Sequence, residues 1–471
     1  MPVDYQTLDP TAPNFTSMTD YTAARAIMDP LFDLDRRGNL VPVLALSATS
    51  SDADRTFTVA LRENVRFSDG TPLDAQAVVD HYKRLQETKT CLGCDPRVVT
   101  DIASLSTAGT HTVVFHLTQP WAKFPVLALT QTAALIPSPT AVRAQGDNFG
   151  RAAVGAGAYR LERVAPGSAI ILVRNDTYWR PEKANLDKIL IKIVPDTQSA
   201  VQSVQSGTLD MAVATTPTLA EQARGANLQV QLNEGFAPEG LNVNTKRPGL
   251  DDARVRAALS AAIDRKAINK AAYGNGSKPA LALLADDNPA QQGIAVPDYD
   301  PAAARRLLAE YGKPVSVDIL APDLPAYLTQ ALLLQQMWKD VGVDAKVTAA
   351  GPTLNQAIQQ RNFDVLLGPF FVDTTTVSGL QPSFVSGGFS NLSGYANPHT
   401  DALFAKLAPI ADDAQALSTA REIVGTLARE VPVIPVVRKM GMFIGSDRVH
   451  LPPADSRGVD IFSMTDVWLS R

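Results

Sequence analysis

Cysteine is nearly missing from this sequence: its 471 residues hold only two, Cys91 and Cys94, in KTCLGCDPR. A structural zinc site needs about four ligands and usually a second pair, so this CxxC is not read as one. A thioredoxin-like pair would open a helix after a strand, whereas this one lies between Thr90 and Asp95-Pro96, in loop-like company. The favoured reading is a disulfide that staples the loop in an oxidising compartment, with two free thiols as the alternative. No apolar run approaches the roughly 18 residues that span a bilayer. A basic stripe is also lacking, with 43 Lys and Arg against 48 Asp and Glu and a net charge of -5. Nucleic acid is therefore not expected as a partner. Aromatics make up 6% and Trp only four residues, which argues against a site built by stacking sugar rings.

The motifs of catalysis are missing too. There is no GxxxxGK[ST] loop, and GNGSKP at Gly274 to Pro279 lacks the spacing to cradle phosphate. No GxSxG elbow or SxxK pair activates a serine. The five histidines, His81, His111, His116, His399 and His450, form no HxxxH pair, so no metal and no cofactor is expected. Asp286-Asp287 and Asp412-Asp413 lie in polar stretches where solvation or helix capping is the ordinary role. A cleft hydrolase using two carboxylates is kept as a remote alternative. The opening MPVDYQTLDP shows no basic segment followed by an apolar run, so no secretory signal is read in it.

What the sequence does have is regularity. Thr56 to Leu85 alternates at Phe57, Val59 and Leu61, turns at Ser68-Asp69-Gly70, and continues as a helix with Val78, Val79, Tyr82 and Leu85 at helical spacing, capped by Asp74. TVVFHL, Thr112 to Leu117, alternates again. From Val154, two strands meet at an Ala165-Pro166-Gly167 turn, followed by strand, helix and strand up to about Ala214. DDARVRAALSAAIDRKAINKAAYG carries two short helices, the second capped by Asp264. DPAAARRLLAEYG predicts a helix with Asp300 as cap, Pro301 in the first turn, Leu307, Leu308 and Tyr311 as the buried stripe, and Gly312 as stop. The length predicts two or three domains, and the alternation of elements from about 242 to 430 predicts an α/β region. Trp121 and Trp338 are expected in cores.

Several of these blocks together resemble the extracytoplasmic solute-binding proteins of ABC importers, family 5, the type that includes peptide, nickel and opine binders. RTFTVALRENVRFSDGTPLDAQAVV resembles the family's strand-turn-helix block, VGAGAYRLERV and RNDTYW its central hairpin, and NVNTKRPGLDDARVRAALSAAIDR its hinge-following helices. DPAAARRLLAEYG, WKDVGVDAKV and REVPVIPVV follow in family order. The resemblance implies an α/β, two-lobed periplasmic-binding-protein clamshell (type II, cluster C) with an extra α+β subdomain. Lobe I would comprise 1–39, 155–241 and 431–471, the subdomain 40–154, and lobe II 242–430. Such lobes close on a ligand and present a closed surface to a membrane permease.

The implied partners are a small-molecule or peptide ligand and ABC permease subunits, for a monomer located in the periplasm or lipid-anchored at the outer face of the cytoplasmic membrane. A peptide or amino-acid-derived ligand leads; an oligosaccharide, an opine-like compound or a metal chelate is the alternative. By resemblance, Ser17, Met18 and Thr19 belong to a lobe I loop that reaches the ligand. Phe370, Phe371 and Asp373 follow a lobe II strand where the family places an aromatic and an acid, although Asp373 falls one place late. Asp323 stands near the position of a family Arg, which favours a cationic or uncharged ligand, and it could equally precede a helix as its cap. Phe389, Ser390 and Asn391 complete the candidates.

Overall fold

Alternation in TFTVAL becomes a strand, Thr56–Leu61, in the computed structural model, with Phe57, Val59 and Leu61 buried. The structure describes residues 1–15, 17–35, 39–88, 97–130, 132–214, 217–351, 353–370, 377–388, 390–408, 410, 413–451 and 464–470. Cys91 and Cys94, and with them the question of their pairing, lie outside these residues. After the strand, Gly70 turns the chain at φ +84°, a value that L side chains resist. Ala77 N then donates to Asp74 Oδ1 at 2.9 Å, and the helix Ala75–Thr88 follows.

Two compact units divide the chain, one made of Met1–Thr215, Leu219–Asn233 and Gly441–Arg471, the other of Thr216–Thr218 and Glu234–Met440. The first contains a four-stranded antiparallel sheet in the order 45–51, 56–61, 112–117, 102–107. The helix Ala75–Thr88 packs on it through Val78, Tyr82 and Leu85. Tyr82 meets Phe115 edge to face at 5.1 Å and donates its hydroxyl to Ala128 O at 2.7 Å, so a buried phenol keeps its hydrogen bond. Trp121 lies in this core, with the Arg97 guanidinium 4.1 Å from its ring centre. That core draws on positions 31 to 136 and Ala156.

A second sheet of the same unit joins 159–165, 169–174 and 188–192, its hairpin turning at Gly167 with φ +69°. The strand Met211–Ala214 pairs antiparallel with 442–445. The helix Met18–Ile27 is buried along most of its length.

The chain passes between the units along two long strands, Gln229–Val243 and Val433–Gly445. In the second unit, Ser316–Pro322 runs parallel to both Asp344–Ala350 and Val365–Pro369. Parallel neighbours need a crossover, and the helix Pro325–Asp340 supplies it between 316–322 and 344–350. The helix Pro301–Tyr311 forms as the sequence predicts: Ala303 N donates to Asp300 Oδ1 at 2.9 Å and Gly312 ends it at φ +75°. Its fully buried residue is Ala304, while Leu307, Leu308 and Tyr311 pack against the core half-buried. Trp338 is enclosed in that core and donates Nε1–H to Leu259 O at 3.0 Å. Among the described residues no helix is long and apolar enough to cross a membrane.

Candidate functional site

Strand geometry in the second unit sends successive side chains to opposite faces, and Gln229–Val243 uses both faces for polar groups. Its register against Val365–Pro369 sets Glu239 opposite Pro369, Gly240 opposite Gly368 and Asn242 opposite Leu366. Glu239, Leu241 and Val243 therefore share one face, and Leu241 and Val243 join the apolar core. There Glu239 Oε2 accepts from the Tyr273 hydroxyl at 3.2 Å and Oε1 from the Tyr327 hydroxyl at 3.0 Å. Gln330 Nε2 donates to Tyr273 Oη at 2.7 Å, while Gln330 Oε1 is buried without a partner among the described residues. Burial, and then the adjacent Glu239, push both phenol pKa values well above the ordinary range. Both phenols thus stay protonated at neutral pH and serve as fixed donors to the carboxylate.

Asn242 lies on the other face and lines a small cavity of about 10 Å³ with Phe370, Ser383, Phe384, Ser390, Leu392, Ser393 and Val433. This cavity brings together two candidates read from the sequence, Phe370 and Ser390, which lie 20 positions apart in the chain. Phe370 is only 5% exposed and belongs to an apolar cluster with Phe384, Tyr395, Phe404 and Val433. Asn391 is buried, and its side chain organises its own loop. Nδ2 donates to Val385 O at 2.9 Å and to Tyr395 O at 2.7 Å, and Oδ1 accepts from Tyr395 N and the Ser393 hydroxyl, both at 3.1 Å. Phe371, Asp373 and Phe389 lie outside the described residues.

In the first unit, Ser17 is the N-cap of Met18–Ile27. Asp20 N donates to Ser17 Oγ at 3.0 Å and Ser17 N donates to Asp20 Oδ2 at 2.9 Å, a reciprocal capping box. The Thr19 hydroxyl donates to Val3 O at 2.6 Å, and Met18 packs half-buried on the local core. Asp323, in the second unit, is exposed at the end of Ser316–Pro322; Leu324, not Asp323, occupies the N-cap of the following helix and makes no side-chain cap bond. Sequence reasoning missed Glu239, Asn242, Tyr273, Tyr327 and Gln330. The available signal was a carboxylate and two amides interrupting the otherwise apolar EGLNVN of a strand. Among the described residues no group of three or more His, Cys, Asp or Glu side chains is placed to hold a metal ion.

Comparison with known proteins agrees with this architecture. The family model described as bacterial extracellular solute-binding proteins, family 5 Middle, matches residues 39–391. The glutathione-binding protein GsiB of Shigella dysenteriae serotype 1 is 28% identical over 450 residues, covering 90% of this chain and 87% of the relative. The ABC transporter substrate-binding protein CtaP of Listeria monocytogenes superposes with a TM-score of 0.85 at 22% identity, covering 100% of this chain and 98% of that one. A dipeptide-binding protein from Pseudoalteromonas sp. SM9913, solved in complex with Met-Leu, gives 0.85 at 19% identity, covering 100% and 99%. These structures share the two-lobed periplasmic-binding-protein fold with this chain. With its family match running from the first sheet to the loop that carries Ser390 and Asn391, the chain belongs to the bacterial extracellular solute-binding proteins, family 5.

Proposed function

We propose that this extracytoplasmic solute-binding protein captures a short peptide or an amino-acid-derived compound and passes it to the permease of an ABC importer. The observation that carries the ligand class is the similarity, over 90% of this chain, to a relative described as glutathione-binding, glutathione being a tripeptide. The cavity of the second unit supports it, since among the described residues Asn242 Nδ2 lines it unbonded and no charged side chain does. Ser17, Met18, Thr19, Asp323, Phe370, Phe371, Asp373, Phe389, Ser390 and Asn391 are the proposed ligand-binding positions. Where the Ser17 and Thr19 hydroxyls are already engaged, backbone N–H groups of the first turn of the helix Met18–Ile27 would make the contact. The segment 40–154 is proposed as a subdomain of its own, supported by a core drawn mainly from within it. The protein binds and releases its ligand without chemical change.

The test is a thermal-shift screen on protein purified without refolding, with co-purified molecules identified by mass spectrometry. Glutathione and Met-Leu are the first probes. A ligand at a hundredfold excess over Kd stabilises by about 2.7 kcal/mol, a readily measured rise in Tm. A flat response to both peptides, together with a shift by oligosaccharides, opines or metal chelates, would overturn the ligand class. Hydrolysis of glutathione by the purified protein would overturn the non-catalytic reading.

A further inference from the structure

We propose that Asn242 holds a single neutral oxygen acceptor in the cavity of the second unit. The inference deepens the reading of that cavity as part of a ligand site. Asn242 is 7% exposed, and its Nδ2 has no hydrogen-bond partner among the described residues. An amide carries two N–H donors there, and leaving a buried donor unmade costs about 1–3 kcal/mol. A buried polar group without a partner among the described residues therefore calls for an acceptor beyond them.

The space selects the size of that acceptor. About 10 Å³ admits one water-sized atom and no more. The walls select its charge. Ser383, Ser390 and Ser393 present the polar side, and Phe370, Phe384, Leu392 and Val433 the apolar side. An ion would lose its hydration against these walls with no opposite charge among the described lining residues to replace it, whereas a neutral oxygen accepts from Asn242 and is packed by the rest. The hydroxyl of Ser393 donates to Asn391 Oδ1 at 3.1 Å and accepts from Tyr395 N at 3.3 Å, so it is engaged within its own loop and the donor to the occupant is the Asn242 amide. Two sources supply this chemistry: a water molecule, or a carbonyl oxygen of a bound peptide. The strand register that sets Asn242 opposite Leu366 holds the donor on a rigid element rather than on a loop.

Crystal structures of the whole chain, alone and grown with glutathione, test the proposal, together with a ligand-free structure of Asn242→Leu. An oxygen at about 3 Å from Asn242 Nδ2 in the free protein is expected. Its persistence with glutathione bound identifies water, and its replacement by a glutathione carbonyl identifies a ligand subsite. In Asn242→Leu the oxygen is expected to vanish. Should that variant fail to fold, Asn242→Ser, which shortens the donor, is expected to shift or empty the site. The proposal is overturned if the cavity is empty in the free and glutathione-grown structures, if Nδ2 is found donating to a protein acceptor, or if the oxygen stays in place without the Asn242 amide. Failure of glutathione to bind would count against the ligand class alone, because the ligand-free structure still decides whether Asn242 holds an oxygen.

Discussion

The Tyr178 hydroxyl donates to Asp29 Oδ2 at 2.9 Å, across 149 positions of the chain. Trp179 Nε1–H reaches the same oxygen at 2.9 Å, so one carboxylate ties the segment after the central hairpin to the end of the first helix. Asp29 is fully enclosed. Burial raises its pKa, against the pull of the Arg180 and Arg25 guanidiniums and of the two hydrogen bonds. A raised folded pKa means that the native state holds its proton more tightly than the unfolded chain does. The stability this gives is complete below the unfolded value near 3.8 and is lost as pH rises through the folded value. The advantage of the native protein over Asp29→Asn is therefore expected to shrink as pH climbs from 4 towards 7, read from urea midpoints at several pH values. A pH-independent difference would contradict the linkage. Asp29→Ala, which leaves two buried donors unpaired, is expected to cost about 3 kcal/mol.

His81 gives the opposite slope. It is buried in the core of the first sheet, its Nε2 is 2.8 Å from Ala133 O, and its Nδ1 has no partner among the described residues. The carbonyl requires a proton on Nε2, so the ring is the neutral Nε2–H tautomer. Burial lowers its pKa from 6.5 to about 4. The unfolded chain then binds the proton more readily, and the stability from neutral His81 is complete above pH 6.5 and lost as pH falls towards 4. That loss amounts to about 3 kcal/mol at 1.36 kcal/mol per unit. His81→Gln keeps a donor for Ala133 O without a titrating ring, so its unfolding midpoint is expected to vary less between pH 7 and pH 4.5. Equal pH dependence in the two proteins would remove His81 from the account.

Local chemistry made much of the fold legible. Asp74, Asp264 and Asp300 all cap helices through side-chain bonds to the third residue on, because such caps depend on only a few consecutive residues. Trp121 and Trp338 are in cores, as the apolar company of each implied. The candidate site was legible only in part. Phe370 and Ser390 line one cavity, yet their neighbour Asn242 comes from a strand more than 120 positions earlier, and nothing local to any of them announces the meeting. Glu239 depends likewise on phenols from two helices, Tyr273 and Tyr327. Strand register decides these encounters, and register is a long-range property.

Asn391 separates a structural from a ligand-binding use of one side chain. Its amide closes the turn between Val385 and Tyr395 with bonds on both ends, so Asn391→Ala is expected to lower the stability of the ligand-free protein by about 2 kcal/mol. Amide exchange should quicken in residues 385 to 395 of that variant. Unchanged melting combined with weaker binding of a peptide ligand would instead assign Asn391 to the ligand.

Gly240 and Gly368 face each other across two strands, yet their tolerance for a side chain differs. A Cβ on Gly240 would stand 2.1 Å from Ile434 O and 3.0 Å from Val436 N, both backbone atoms that cannot move aside. A Cβ on Gly368 would meet nothing within 4 Å. Gly240→Ala therefore forces the strands 229–243 and 433–445 apart or prevents their pairing, at an expected cost of about 3 kcal/mol or more. Gly368→Ala has room and no positive φ to strain, so it is expected to be neutral or stabilising by up to about 1 kcal/mol, because alanine restricts the unfolded chain. Denaturant unfolding of the two variants side by side checks the contrast. Comparable losses in both would mean that general intolerance of this strand pair, rather than the approach of Ile434 O, sets the requirement for glycine.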